Sequence, residues 1–296
     1  MSKRNWALLA ATLVSIIYGV TFTIAKDVMP KYVEPFGFIL MRVGGSMLLF
    51  WIITPFFSTE KIEKQDFPRI IAAAFFGVAL NMLTFFKGLS YTSPIMGAVL
   101  MVTTPMIVLV LSAILMKERM QNRKIYGLIL GLIGTVFLIL YGKSVINASN
   151  ATLGNILVFI NAVSYGFYLI IVKKLMDKYN AFAFVKWIYT FGFLMVLPFG
   201  WSEFQAVDFT NVPMDIFWKI GFVVVFSTFL TYLLNLVSMR ELKPTTVAVF
   251  IYLQPLFATI FAVSLGKDDV TWVKLISAVL IFTGVYLVTQ KRVKSE

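Results

Sequence analysis

Residues 93–141 read SPIMGAVLMVTTPMIVLVLSAILMKERMQNRKIYGLILGLIGTVFLILY, two long apolar runs joined by a short charged turn. The plan returns at residues 243–290: KPTTVAVFIYLQPLFATIFAVSLGKDDVTWVKLISAVLIFTGVYLVTQ. Pro94 matches Pro244, Pro105 matches Pro255, Lys117-Glu118 matches Lys267-Asp268, and Gly134 matches Gly284. One shift of 150 residues brings every pair into register. An echo at a fixed offset marks an internal duplication.

Working outward, the same echo reaches the start of each half. Tyr18-Gly19 matches Tyr165-Gly166, Lys26 matches Lys173, and Lys31-Tyr32 matches Lys178-Tyr179, now at a shift of 147. Two units follow, residues 1–146 and 147–296.

The chain has 296 residues, of which 59% are apolar and 14% charged. A soluble domain carries about 25% charged residues. The charges here are clustered and leave apolar runs of roughly 20 residues, the length that crosses a ~30 Å hydrocarbon layer. The fold class expected is all-α, a polytopic membrane protein. Ten spans are expected, at 6–25, 35–55, 69–89, 94–116, 125–141, 153–172, 182–200, 216–239, 244–265 and 271–290. The first is read as a retained helix, because it is too long for a signal-peptide core. Five spans per unit is an odd number, so the second unit enters the membrane from the opposite side. The repeats are then inverted, an arrangement found in transporters with a site at the repeat interface near the midplane. Most of the 26 lysines and arginines fall in alternate connections, which predicts both termini cytoplasmic in a plasma (inner) membrane.

The net charge of +12 belongs to these connections and forms no separate basic domain, which argues against a nucleic-acid partner. The chain has no histidine and no cysteine. It therefore lacks the commonest general base and metal ligand, and no metal or other cofactor is expected. An intramembrane enzyme would need a nucleophile, base or metal cluster that these residues do not supply. A non-transporting scaffold or sensor stays open as a rival, although the short loops offer little docking surface.

Polar residues inside the spans mark the candidate site. Ser227, Thr231, Asn235 and Ser238 share one face of the eighth span. The third span places Gly77, Asn81, Phe85 and Gly88 on one face, and the sixth places Asn161, Ser164, Tyr165 and Tyr168 together. The first contributes Ser15, Tyr18 and Phe22. Polar groups near the bilayer centre need partners, so these faces should point inward. The expectation is a central cavity walled by spans 1, 3, 6 and 8, with Tyr18, Arg42, Asn81, Phe85, Asn161, Ser164, Tyr165, Tyr168, Thr231, Asn235 and Gln254 as solute-binding candidates. Helix–helix hydrogen bonding is the plainer role for any single Ser or Thr. Arg42 lies about 10 Å below the outer surface at 1.5 Å per residue, where a charge is costly. Lys186 lies near a surface that its side chain reaches by snorkelling.

Pro105 and Pro255 sit mid-span and should kink their helices. Each frees a carbonyl that Thr104 or Gln254 would satisfy. Pro94 and Pro244 suit the first helical turn. All four are candidate gate hinges. Glu118 and Asp268, at the ends of spans four and nine, should pair with nearby lysine or arginine. No Asp or Glu lies deep in any span, so no proton relay is in view and facilitated diffusion or exchange is expected.

The run from Tyr18 to Lys26 (YGVTFTIAK), with Pro35 and Arg42, resembles the opening signature of EamA-type proteins of the drug/metabolite transporter superfamily. Thr104-Pro105, Lys117-Glu118-Arg119, Gly127 and Gly134 resemble that family's second signature, and Pro255, Asp268 and Gly284 repeat it. Asp268-Asp269 departs from the Gly-Glu more usual there. The resemblance covers nearly the whole chain. It implies ten helices, an inverted five-helix duplication, and export or exchange of small metabolites such as amino acids.

Overall fold

The computed structural model describes residues 2–58, 60–91, 100–118, 121–140, 151–264 and 271–290. Within them the side chains of 22, 23, 26, 89, 90, 151 and 262 lie outside the description. Every regular element among the described residues is helical. Eight helices are long and apolar enough to cross a membrane. Helix α1 (Lys3–Val28) adds 26 residues, and the apolar α5 (Thr104–Leu115) is shorter. Pro94 and Asp268 lie outside the described residues. The all-helical class is thus seen directly among the described residues, and eight of its helices have the length and apolarity of membrane spans.

The remaining elements are α2 (Pro35–Phe57), α3 (Phe67–Ala74), α4 (Leu80–Tyr91), α6 (Asn122–Leu140), α7 (Ala151–Met176), α8 (Ala181–Gln205), α9 (Met214–Phe222), α10 (Thr231–Glu241), α11 (Pro244–Ala248), α12 (Leu253–Ser264) and α13 (Trp272–Thr289). Helices α3 and α4 are one rod interrupted by a π-helical stretch, Phe75–Ala79. Helices α9 and α10 are likewise joined through a π stretch, Val223–Leu230. Moved by 150 residues, the first stretch falls inside the second. Helices α11 and α12 are separated by a 3-10 turn, Val249–Tyr252.

Packing follows one pattern. Helix α2 lies along α8, and α6 lies along α13. Helix α4 packs on α7 while α10 packs on α1; α5 packs on α7 while α12 packs on α1. Each contact maps onto itself or onto its partner when the halves are exchanged, which is consistent with the duplication. Lipid tails supply little drive for helices to associate, so these contacts rest on close approach and polar bonds. In the α6–α13 pair the close approach is backbone on backbone. A Cβ at Gly284 would lie 2.6 Å from both the Gly127 carbonyl oxygen and the Gly131 nitrogen, so no larger residue fits. The α2 start is held differently. Pro35 opens the first turn, and Glu203, near the end of α8, accepts from the free N–H groups of Phe36 (2.6 Å) and Gly37 (2.9 Å). A carboxylate there also complements the helix dipole.

The prolines act otherwise than as simple kinks. Pro105 stands in the first turn of α5, behind a break at Val102–Thr103. The break frees the Met101 carbonyl, and Thr104 Oγ1 donates to it at 2.5 Å. Pro255 stands two residues into α12, and the carbonyl of Ile251 accepts from the backbone N–H of Leu253 instead. Gln254, offered above for that duty, forms no hydrogen bond among the described residues. Pro244 opens α11, as its position suggests.

One end of the bundle is tied by a buried ion pair. Glu118 Oε1 accepts from Lys124 Nζ at 2.6 Å, with Lys243 Nζ at 3.5 Å and Thr245 Oγ1 on Oε2 at 3.2 Å. These contacts join the α5–α6 connection to the start of α11. Exposed Trp6, Phe56, Trp218 and Trp272 lie near helix ends on the outer surface, where aromatic rings suit a membrane–water boundary.

Candidate functional site

A cavity of about 650 Å3 occupies the middle of the bundle, within the range of small-molecule sites. It extends to the α1–α2 connection, where Met29, Pro30, Glu34 and Pro35 line its mouth. No described residue from the opposite helix ends lines it. There Ser238 Oγ donates to the Ala7 carbonyl at 2.9 Å, and Ala7, Leu236 and Met239 are buried together. The space is open at one end and closed at the other.

Of the eleven candidates named from sequence, nine line this cavity: Tyr18, Arg42, Asn81, Phe85, Asn161, Tyr165, Tyr168, Asn235 and Gln254. Ser164 and Thr231 do not. Ser164 Oγ donates to the Phe76 carbonyl at 2.6 Å and so fixes the π stretch of its neighbour. Thr231 Oγ1 donates to the Ser227 carbonyl at 2.7 Å and lies 3.3 Å from the Tyr18 hydroxyl. The walls also include α2 and the residues around the two breaks, Met101, Thr104 and Ile251, which the four-helix expectation omitted.

Several polar groups are held by reciprocal bonds. Asn161 Nδ2 donates to the Asn81 carbonyl at 2.7 Å, and Asn81 Nδ2 donates to the Asn161 carbonyl at 3.4 Å. The pair joins α4 to α7 and leaves both amide oxygens in the cavity wall without a described donor. A cluster of tyrosines continues from the same face of α7. Tyr168 lies 5.9 Å from Tyr165 and 5.8 Å from Tyr232, ring centre to ring centre, and Tyr232 lies 4.9 Å from Tyr189. The Tyr168 ring lies directly over Gly77, in space that any Cβ would fill. Tyr232 Oη donates to the Gly77 carbonyl at 2.5 Å. Gly77 therefore seats two walls at once.

Arg42 is 9% exposed. Its Nε donates to Thr228 Oγ1 at 3.1 Å, and Thr228 Oγ1 donates on to the Val223 carbonyl at 2.8 Å. No carboxylate among the described residues pairs with it. Ser227 Oγ, beside this group, is buried without a hydrogen-bond partner among the described residues. Tyr232, Met82, Phe86 and Glu34 line the cavity and escaped the sequence reading. Tyr232 lies three residues before Asn235 and shares its inward face, whose angle is set by the π stretch just ahead of it. No group of three or more Asp or Glu residues among the described residues is placed to hold a metal.

The model of the EamA-like transporter family matches residues 5–140 and again 152–290. The chain belongs to the EamA-like transporter family. This EamA-like chain is a multi-pass membrane transporter. Its similar relatives include the uncharacterized transporter YyaM of Bacillus subtilis (strain 168), 24% identical over 92% of this chain and 89% of that one. An uncharacterized transporter of Archaeoglobus fulgidus is 25% identical over 98% of this chain and all of its own length. A solved crystal structure at 14% identity covers 95% of both chains with a TM-score of 0.78, a likeness of fold alone.

Proposed function

We propose that this EamA-like protein exports or exchanges small amphipathic metabolites, such as amino acids, by alternating access around the central cavity. The observation that carries the reading is a cavity of about 650 Å3, amide- and tyrosine-lined, open at one end only. A second facing would close the α1–α2 mouth and open the end now tied by Glu118, Lys124 and Ser238. The nine cavity residues contact the solute; Ser164 and Thr231 hold the walls. Pro94, Pro105, Pro244 and Pro255 serve as hinges between the facings.

Ten spans in two inverted units, residues 1–146 and 147–296, supply the two-fold exchange that such rocking needs. With both termini cytoplasmic in the inner membrane, the mouth faces outward in this structure. Among the described residues the only carboxylate lining the cavity is Glu34, exposed at the mouth, and the chain has no histidine. That supports facilitated transport without proton coupling. Protein reconstituted in liposomes tests the whole reading. Preloaded amino acid should speed uptake of labelled amino acid, and an imposed pH gradient should leave the rate unchanged. Absence of flux for every amino acid, with binding retained, would favour a sensor.

A further inference from the structure

Arg42 is the charged group that the fold leaves unanswered. It is nine-tenths buried and lines the cavity. One of its five N–H donors is used, by the neutral hydroxyl of Thr228. The carboxylate that shares the cavity, Glu34, precedes it by eight residues, about 12 Å along the helix axis, and is exposed. Buried charges are ordinarily paired, and an ionisable residue inside a membrane points to a functional partner. The neighbouring Ser227 hydroxyl is also buried and unpartnered among the described residues. Among the described residues, Arg42 is the only lysine or arginine in the cavity wall. Arginine presents a planar fork that matches the two oxygens of a carboxylate.

We infer that the solute bears a single carboxylate, clamped by Arg42 through its free N–H groups with Ser227 as a further donor. Thr228 is the positioning residue: it accepts from Nε, fixes the rotation of the fork, and leaves the remaining edge for the solute. The apolar body of the solute then lies toward the tyrosines and Phe85. A second carboxylate would find no second cation among the described lining residues. This rests on the cavity being the solute site.

The test uses the full chain in nanodiscs and matched acid and amide pairs: L-phenylalanine with L-phenylalaninamide, L-leucine with L-leucinamide, and 3-phenylpropionate with 3-phenylpropionamide, plus succinate. Binding is read by calorimetry. The acids should bind at least tenfold more tightly than their amides, and more tightly than succinate. Arg42→Gln should bring the acid-to-amide ratio close to one. Arg42→Lys should give an intermediate ratio, since an ammonium cannot hold both oxygens at once. Thr228→Val keeps the guanidinium and should lower the ratio several-fold, so a failure of Arg42→Gln to fold does not remove the test. Amides equal to acids in the unaltered chain, no acid bound at all, succinate as tight as the monoacids, or a ratio indifferent to all three substitutions would overturn the inference. Acid-selective binding without flux in liposomes would strike the transport reading and leave this one standing; flux of uncharged solutes alone would do the reverse.

Discussion

Helix pairs α6–α13 and α4–α7 cross the same bilayer and are held by opposite means. The first is a seam of glycines, with Gly127, Gly131 and Gly284 bringing backbone against backbone. The second is tied by the Asn81–Asn161 exchange and by Ser164 on the Phe76 carbonyl. One seam has no room along its middle and is tied by side chains only at its end, where Arg123 donates to Gln290; the other borders a cavity. The difference teaches where each kind of adhesive belongs. Close packing holds what need not change. Side chain–backbone bonds hold what must stay polar while a solute passes.

The comparison breaks first at the glycine seam. Gly284→Val places a branched side chain where a single Cβ already meets two backbone atoms. The expected loss is about 3 kcal/mol or more, at the upper end of overpacking. It should appear as a large fall in the detergent melting temperature, with little properly folded protein recovered. A melting temperature within 2–4 °C of the parent, the shift expected of about 1 kcal/mol in a chain of this class, would show that the seam can open.

Gly77→Ala tests the cavity side with a smaller change. Its methyl group displaces the Tyr168 ring, which is buried but borders the cavity into which it can turn, so folding should survive with a cost of about 1–3 kcal/mol. Solute affinity should fall more than stability does, read as a raised half-saturation concentration in liposome uptake. Equal losses in both would make Gly77 a packing residue and no more.

The amide exchange is sharper still. Each amide donates to the other residue's backbone carbonyl, which alanine leaves in place. Asn81→Ala and Asn161→Ala should therefore each cost about 0.6 kcal/mol, with about 1.7 kcal/mol as a ceiling for such bonds in a membrane, and the two losses should add. No loss from either substitution, measured by unfolding in detergent, would show that the exchange does not hold the helices.

The smallest effect lies at the membrane edge, where Lys178 meets Glu63 at 2.9 Å and Asp66 at 2.6 Å. The hydrogen bond from Lys178 holds the Glu63 carboxyl below its ordinary value. The bond to Asp66, then that to Glu63, raises the Lys178 ammonium above its own. A depressed carboxylate contributes stability above its unfolded pKa of about 4.3 and loses it as pH falls through the lower folded value. A raised lysine contributes below about 10.4 and loses it only as pH rises further. Stability from this latch should therefore be flat between about pH 5 and 9, and Glu63→Gln should change the acid limb and, by removing one of the bonds that raise Lys178, part of the basic limb as well. Both groups are well exposed, so solvent screening keeps the effect small. A slope at neutral pH in thermal unfolding scans would contradict it.

Much of this fold is legible because hydrophobic length and a repeated proline–glycine register are properties of composition and order. Asn81, Asn161, Tyr165 and Arg42 are legible for a related reason: each carries a polar group where lipid offers no partner. Thr231 and Tyr232 mark the limit. Their places depend on the path of the helix through Val223–Leu230, and that stretch carries no glycine or proline to announce its wider turn. The α11–α12 break is similar. Pro255 signals a disturbance, but whether the chain bends or restarts depends on which donor reaches the freed carbonyl, a matter of local geometry.

The two breaks answer that question unequally. At Met101 the donor is a side-chain hydroxyl, which turns on its own bond and follows the carbonyl as the chain opens. At Ile251 the donor is the backbone N–H of Leu253, whose reach is fixed by the turn that carries it. A protein whose halves otherwise trade places thus owns one compliant joint and one stiff joint. On the proposed alternating access, the empty carrier would have no symmetry to make its two facings equal in energy, and the difference between a threonine and a peptide group would set its resting preference.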